Sequence, residues 1–166
     1  MALSSERADG LGDRRSARSL SDSAGPLFVG KASLHHLGVV VASISTAASE
    51  FAASISANWN GQIIYDPIQQ VRVAFFNPND AQNPVFELVE PVGEISPVTN
   101  FLRKRVGLHH VCYEIDDLEL ALKAARAAGS FILSKPTPAV AFNGRRIAWV
   151  SSKARLLMEL LERKGN

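Results

Sequence analysis

One cysteine, Cys112, stands in 166 residues, so no disulfide can form within the chain and nothing in it asks for an oxidising compartment. Charge of one sign is missing too. Eighteen basic residues face 16 acidic ones, a formal net charge of +2, which is too small to suggest a nucleic-acid partner. The one basic cluster, Arg103-Lys104-Arg105, has no aromatics interleaved with it. No apolar run reaches the roughly 18–20 residues of a membrane span, and no apolar core of a secretory signal is present. A cytoplasmic setting without membrane or nucleic-acid partners is the expectation. With 46% hydrophobic residues, what remains is enough to bury one core, or the shared core of two half-domains.

Residues 1–30 have no hydrophobic period. They balance Arg7, Arg14, Arg15 and Arg18 against Glu6, Asp9, Asp13 and Asp22 among serines and glycines, and are expected to form a disordered tail.

From Leu34 onward the chain repeats itself. Leu34-His35-His36-Leu37-Gly38-Val39-Val40-Val41 returns 74 residues later as Leu108-His109-His110-Val111-Cys112-Tyr113-Glu114-Ile115. Val71–Phe76 returns at the same offset as Arg145–Val150, and Val85-Phe86-Glu87-Leu88-Val89-Glu90 returns 72 residues on as Leu157-Met158-Glu159-Leu160-Leu161-Glu162. Each copy holds a histidine pair and, about 50 residues later, a glutamate between large apolar neighbours.

Within each copy the local signals run strand, helix, strand, strand, strand. In the first, 34–41 alternates and is valine-rich, 45–57 has helical spacing of Ala, Phe and Ile, and 62–65, 71–76 and 85–90 are short strands. In the second, 108–115 is the strand, 117–128 an alanine-rich helix with Asp116 or Asp117 as N-cap and Gly129 as stop, followed by strands at 131–134, 145–150 and 156–162. Phe101 and Leu102 are expected to make a helical turn in the segment that joins the copies. The fold class is α+β: paired βαβββ modules, 31–91 and 107–166 with a linker at 92–106, forming a curved mixed sheet.

Side chains alternate across a strand, so His36 shares a face with Gly38 and Val40, and His35 with Leu37, Val39 and Val41. The more apolar set packs under the helix, which turns His36 to the open face. The same reasoning turns His110 there, and the apolar neighbours of Glu87 and Glu159 turn both carboxylates to that side as well. Four ligand-type groups then share one concave surface. Two imidazoles and two carboxylates, without thiolate, suit Mn²⁺, Co²⁺, Ni²⁺, Zn²⁺ or Fe²⁺, and octahedral geometry leaves two positions for water or substrate. His35 and His109 keep a structural reading, and Cys112 that of a small packed side chain.

These residues resemble the vicinal oxygen chelate (glyoxalase/bleomycin resistance) superfamily, and within it the methylmalonyl-CoA epimerases. The likeness rests on His35-His36-Leu37-Gly38, Glu87-Leu88-Val89-Glu90-Pro91, Gly93-Glu94-Ile95-Ser96-Pro97, Gly107-Leu108-His109-His110 and Met158-Glu159-Leu160. It implies a curved sheet around a divalent metal (Co²⁺, Mn²⁺, Zn²⁺ or Ni²⁺) held by His36, Glu87, His110 and Glu159, and a homodimer. It implies an isomerase that abstracts the proton next to the carbonyl of an acyl thioester or related substrate. Val73 stands where some epimerases carry a glutamate base, so Glu159 or Glu87 is expected to take the proton, with Glu114 a further candidate. Arg72, Arg145 and Arg146 are candidates for substrate phosphate or carboxylate. The segment Ala141-Phe142-Asn143-Gly144-Arg145-Arg146 departs from the epimerase pattern and leaves the CoA carrier open. A lactoylglutathione lyase-like isomerase is the nearest alternative. A ring-cleaving dioxygenase fits less well, because the fourth ligand fills a position it needs open, and a non-catalytic binding protein of the same fold would not need the ligand set.

Overall fold

A computed structural model describes residues 30–104 and 107–165. Apart from Gly30, the tail expected over residues 1–30 lies outside the described residues.

The elements follow the repeat. The first set is β1 (Ala32–Val40), α1 (Ile44–Ser54), β2 (Ala57–Trp59), β3 (Ile64–Asp66), β4 (Val71–Pro78) and β5 (Val85–Pro91). After α2 (Thr99–Lys104) comes the second: β6 (Gly107–Ile115), α3 (Leu118–Ala127), β7 (Phe131–Ile132), β8 (Thr137–Pro138), β9 (Arg146–Ser151) and β10 (Leu157–Glu162). One mixed sheet of ten strands runs β2-β4-β5-β1-β6-β10-β9-β7, with β3 added on β4 and β8 on β9. The order reads the same outward from the centre in both directions. β1 pairs with β5 in parallel and β6 with β10 in parallel, and the halves join through antiparallel β1 and β6.

The helices begin where their caps dictate. Ser43 Oγ accepts from the Thr46 amide at 3.3 Å, and Asp117 Oδ1 from the Leu120 amide at 2.8 Å. α3 stops at Gly129, whose φ of +75° suits a residue without a side chain, while the Gly129 and Ser130 amides donate back to Arg126 and Ala125. α1 buries Ile44 and Ala48 against Ala74, Phe76 and Leu88. α3 buries Leu118, Ala121 and Ala125 against Ala148, Val150, Met158 and Leu160. The opposite side of the sheet carries Val40, Val71, Val73, Val89 and Val98 in one half and Cys112, Phe142, Ile147 and Leu161 in the other. Among the described residues no helix is long and apolar enough to cross a membrane.

Two local expectations are corrected, and two short pieces are added. The helix expected over 45–57 ends at Ser54, because Ser56 turns left-handed at φ 51° and Ala57–Trp59 then pairs with Phe76–Pro78, stacking Trp59 on Phe76 at 5.7 Å. Two short pieces carried no sequence signal: β8 and a 3-10 turn at Val140–Phe142. Finally, strict alternation fails at both histidine pairs. Leu34 pairs with Tyr113 and His36 with Cys112, so His35 is the extra residue of a bulge; Gly38 pairs with His110 and Val39 with Leu108, so His109 is another.

Leu160 is fully buried between α3 and the sheet. Leu160→Ala should lower the unfolding free energy by about 2–5 kcal/mol, read by urea titration.

Candidate metal centre

The middle strands bring the four expected groups together. His36 on β1 and His110 on β6 point inward from the seam, and Glu87 on β5 and Glu159 on β10 point inward beside them. His36 is 0%, His110 2%, Glu159 3% and Glu87 5% exposed. The Nε2 atoms of the two histidines lie 3.1 Å apart. Glu87 Oε2 is 3.3 Å from His36 Nε2 and 3.5 Å from His110 Nε2; Glu159 Oε2 is 3.3 and 3.7 Å from the same atoms. Metal bonds of about 2.0–2.2 Å put neighbouring donor atoms about 3.0–3.5 Å apart, which is close to this spacing.

The donor set fits a divalent ion for a further reason. Glu159 Oε2 is buried and accepts no hydrogen bond from a described residue, a state that costs free energy unless a cation completes it. Two carboxylates would balance two positive charges, so the filled site would be neutral in its apolar surroundings.

Without an ion, protons do part of that work. Burial opposes charge on His36, but the adjoining Glu87 and Glu159 outweigh it and carry the ring up to about 10. At His110 burial prevails and takes the ring down to about 3. Burial pushes Glu87 above the usual carboxylate range; at Glu159 burial pushes the same way, but the His36 ring beside it overcomes this and holds the group low.

Each half braces its ligands alike. Phe75 on β4 meets the His36 ring edge-on at 5.8 Å, and Trp149 on β9 meets His110 edge-on at 4.8 Å. These aromatics are cross-strand partners of Glu87 and Glu159. The halves differ at the seam, where Gly38 lies opposite His110. A Cβ on Gly38 would fall inside the His110 ring, so only glycine lets that imidazole cross the strand. The matching position in the second half is Cys112, whose thiol is pushed up by burial and by Glu159 and so is not a thiolate nucleophile.

Above Glu87, His110 and Glu159 opens a cavity of about 360 Å³ with Val71, Val73, Val89, Val98, Ile147 and Trp149 on its walls. Its described lining contains no lysine or arginine. Asp66, which the sequence reading did not single out, is 2% exposed and spans the two halves: Oδ1 accepts from the Ile68 and Gln69 amides and Oδ2 from the Val140 amide at 2.9 Å. It thereby holds the turn whose Phe142 stacks on His36 at 5.8 Å. The Asp66-Pro67 pair was the available signal; the partner of Asp66, far along the chain, was not.

The other candidates are occupied elsewhere. Arg72 pairs with Glu90, Arg145 with Glu114, and Arg146 with Glu119 and Glu162; none of the three lines the cavity. Glu114 also binds Arg163 at 2.6 Å and does not line the cavity.

Residues 35–149 match the Glyoxalase/Bleomycin resistance protein/Dioxygenase superfamily. The chain belongs to this superfamily. It is 30% identical over 122 residues, 72% of this chain and 88% of the relative, to the ethylmalonyl-CoA/methylmalonyl-CoA epimerase of Cereibacter sphaeroides. It is 29% identical over 147 residues, 84% of this chain and 82% of the relative, to the mitochondrial methylmalonyl-CoA epimerase of Dictyostelium discoideum. The crystal structure of methylmalonyl-CoA epimerase from Mycobacterium tuberculosis shares the fold at 24% identity and a TM-score of 0.69, over 86% of this chain and 93% of that one.

Two outcomes are expected of this superfamily member. Gly38→Ala should displace His110 and weaken Co²⁺ binding at least about tenfold in a chelator competition, while urea unfolding of the metal-free protein shows it still folded. Because His36 must lose its proton to bind a cation, Co²⁺ affinity should rise with pH from neutrality toward about 10, with proton release seen by calorimetry in buffers of different ionisation enthalpy.

Proposed function

We propose that the chain is a metal-dependent epimerase that removes and returns the proton next to the carbonyl of an acyl thioester of the methylmalonyl-CoA type. The observation that carries this is the cavity's charge. A substrate carboxylate entering it meets Asp66, Glu87 and Glu159 and no lysine or arginine, so a cation held by His36, Glu87, His110 and Glu159 is what would make its entry favourable. The names of the relatives support the same chemistry. A bound divalent ion, whose identity among Co²⁺, Mn²⁺, Zn²⁺ and Ni²⁺ stays open, would supply positive charge to stabilise the enolate, worth several kcal/mol.

The residues divide the remaining work. Valines and Trp149 exclude water from the acyl group. Glu159 and Glu87 are the groups able to take the α-proton: Asp66 is committed to three backbone amides, His109 faces His110, and Cys112 is held as a thiol. They approach from opposite halves of the sheet, an arrangement suited to taking a proton on one side and returning it on the other. Val73 leaves the wall near them apolar. We also read 31–91 and 107–166 as two modules joined by 92–106, which the mirrored strand order supports, a homodimer, for which the resemblance is the support, and a cytoplasmic setting, for which the single cysteine is the support.

The test is deuterium uptake from heavy water into methylmalonyl-CoA, followed by mass spectrometry. Co²⁺-loaded protein should exchange the α-proton and chelator-stripped protein should not, and Glu159→Gln should slow exchange by about 10²–10⁴-fold. Loaded protein that binds Co²⁺ but shows no exchange would discard this substrate class.

A further inference from the structure

All four histidines of the chain meet at this site, yet the ligand set uses two. The other two, His35 and His109, are the extra residues of two bulges in the same strand pair. A regular ladder would turn each away from its neighbour. The bulge turns it back. The outcome is nearly the same in both halves: His35 Nδ1 lies 2.9 Å from His36 Nδ1, and His109 Nδ1 lies 3.0 Å from His110 Nδ1. The ring centroids are 5.2 and 5.3 Å apart, with planes at 79° and 86°. Each outer ring is fixed in turn by an aromatic edge contact, His35 on Phe142 at 5.4 Å and His109 on Phe101 at 4.7 Å.

Two imidazole nitrogens at this distance form a hydrogen bond only if one brings a proton and the other a lone pair. In His36 and His110 it is Nε2 that faces the carboxylates. With the Nε2 lone pair given to a cation, Nδ1 carries the hydrogen and donates it, so Nδ1 of the outer ring accepts.

We propose that His35 and His109 are a matched pair of positioning residues, each accepting the Nδ1 proton of the following histidine so that His36 and His110 present Nε2 to the metal. Histidine ligands more commonly donate to a carboxylate, a carbonyl or water. A neutral imidazole fixes the tautomer equally well and adds no negative charge to a buried site whose two carboxylates already match a divalent ion. The inference rests on the metal reading above but not on the substrate.

The test uses the full chain, ¹⁵N-labelled and loaded with Zn²⁺. Long-range imidazole spectra should show His36 and His110 coordinated through Nε2 and protonated on Nδ1, with His35 and His109 protonated on Nε2. Coordination of either ligand through Nδ1 overturns the proposal, whether or not any variant folds. In chelator competition, His35→Leu and His109→Leu should each weaken Zn²⁺ binding by about 10–100-fold, and His35→Gln and His109→Gln, which keep an acceptor, should recover most of the loss. Leucine variants that bind as tightly as the natural protein overturn this inference alone; a natural protein that binds no Zn²⁺ overturns the metal reading with it.

Discussion

The antiparallel contact of β1 with β6 is the interaction on which everything else depends. It is the seam between the halves and also the place where two imidazoles are driven to within 3.1 Å of each other between two buried carboxylates. Such a cluster is expensive in an apolar interior, and each group has the others to answer its charge, as a divalent cation would more fully. The seam tolerates this crowding through Gly38, where the chain gives up a side chain so that a ring from the other half can lie across it.

Around the seam the two halves solve the same physical problem with related residues. Ser43 and Asp117 start the helices; Phe75 and Trp149 stand edge-on to the ligand rings; Leu88 and Leu160 close the helix-facing cores. The symmetry is incomplete where chemistry intervenes. Cys112 stands where Gly38 stands in the first half, and Asp66 reaches from one half to the other to hold Phe142 over His36. A substrate in the cavity therefore meets unlike walls although its floor is nearly two-fold.

Much of this was legible in the sequence. Apolar alternation marked the long strands, caps marked α3, and the repeat selected His36, Glu87, His110 and Glu159, which the fold brings together. What was not legible depended on tertiary pairing. His35 and His109 were assigned to the far face because alternation assumes an unbroken ladder, and bulges arise only when two strands negotiate their register. The end of α1 was overrun because Ala57 continues a helical pattern until pairing with β4 overrides it. Arg72, Arg145, Arg146 and Glu114 were open candidates until their partners were seen, since an ion pair satisfies a charge that would otherwise be free for substrate.

Each half of the sheet contributes one imidazole and one carboxylate, so neither half owns a binding site. An ion that binds only the joined state adds its free energy to the joining, about 4 kcal/mol when its concentration is a thousandfold above its dissociation constant. Cation supply would then act as an assembly force within a single chain, adding to the strand pairing that already joins the two halves.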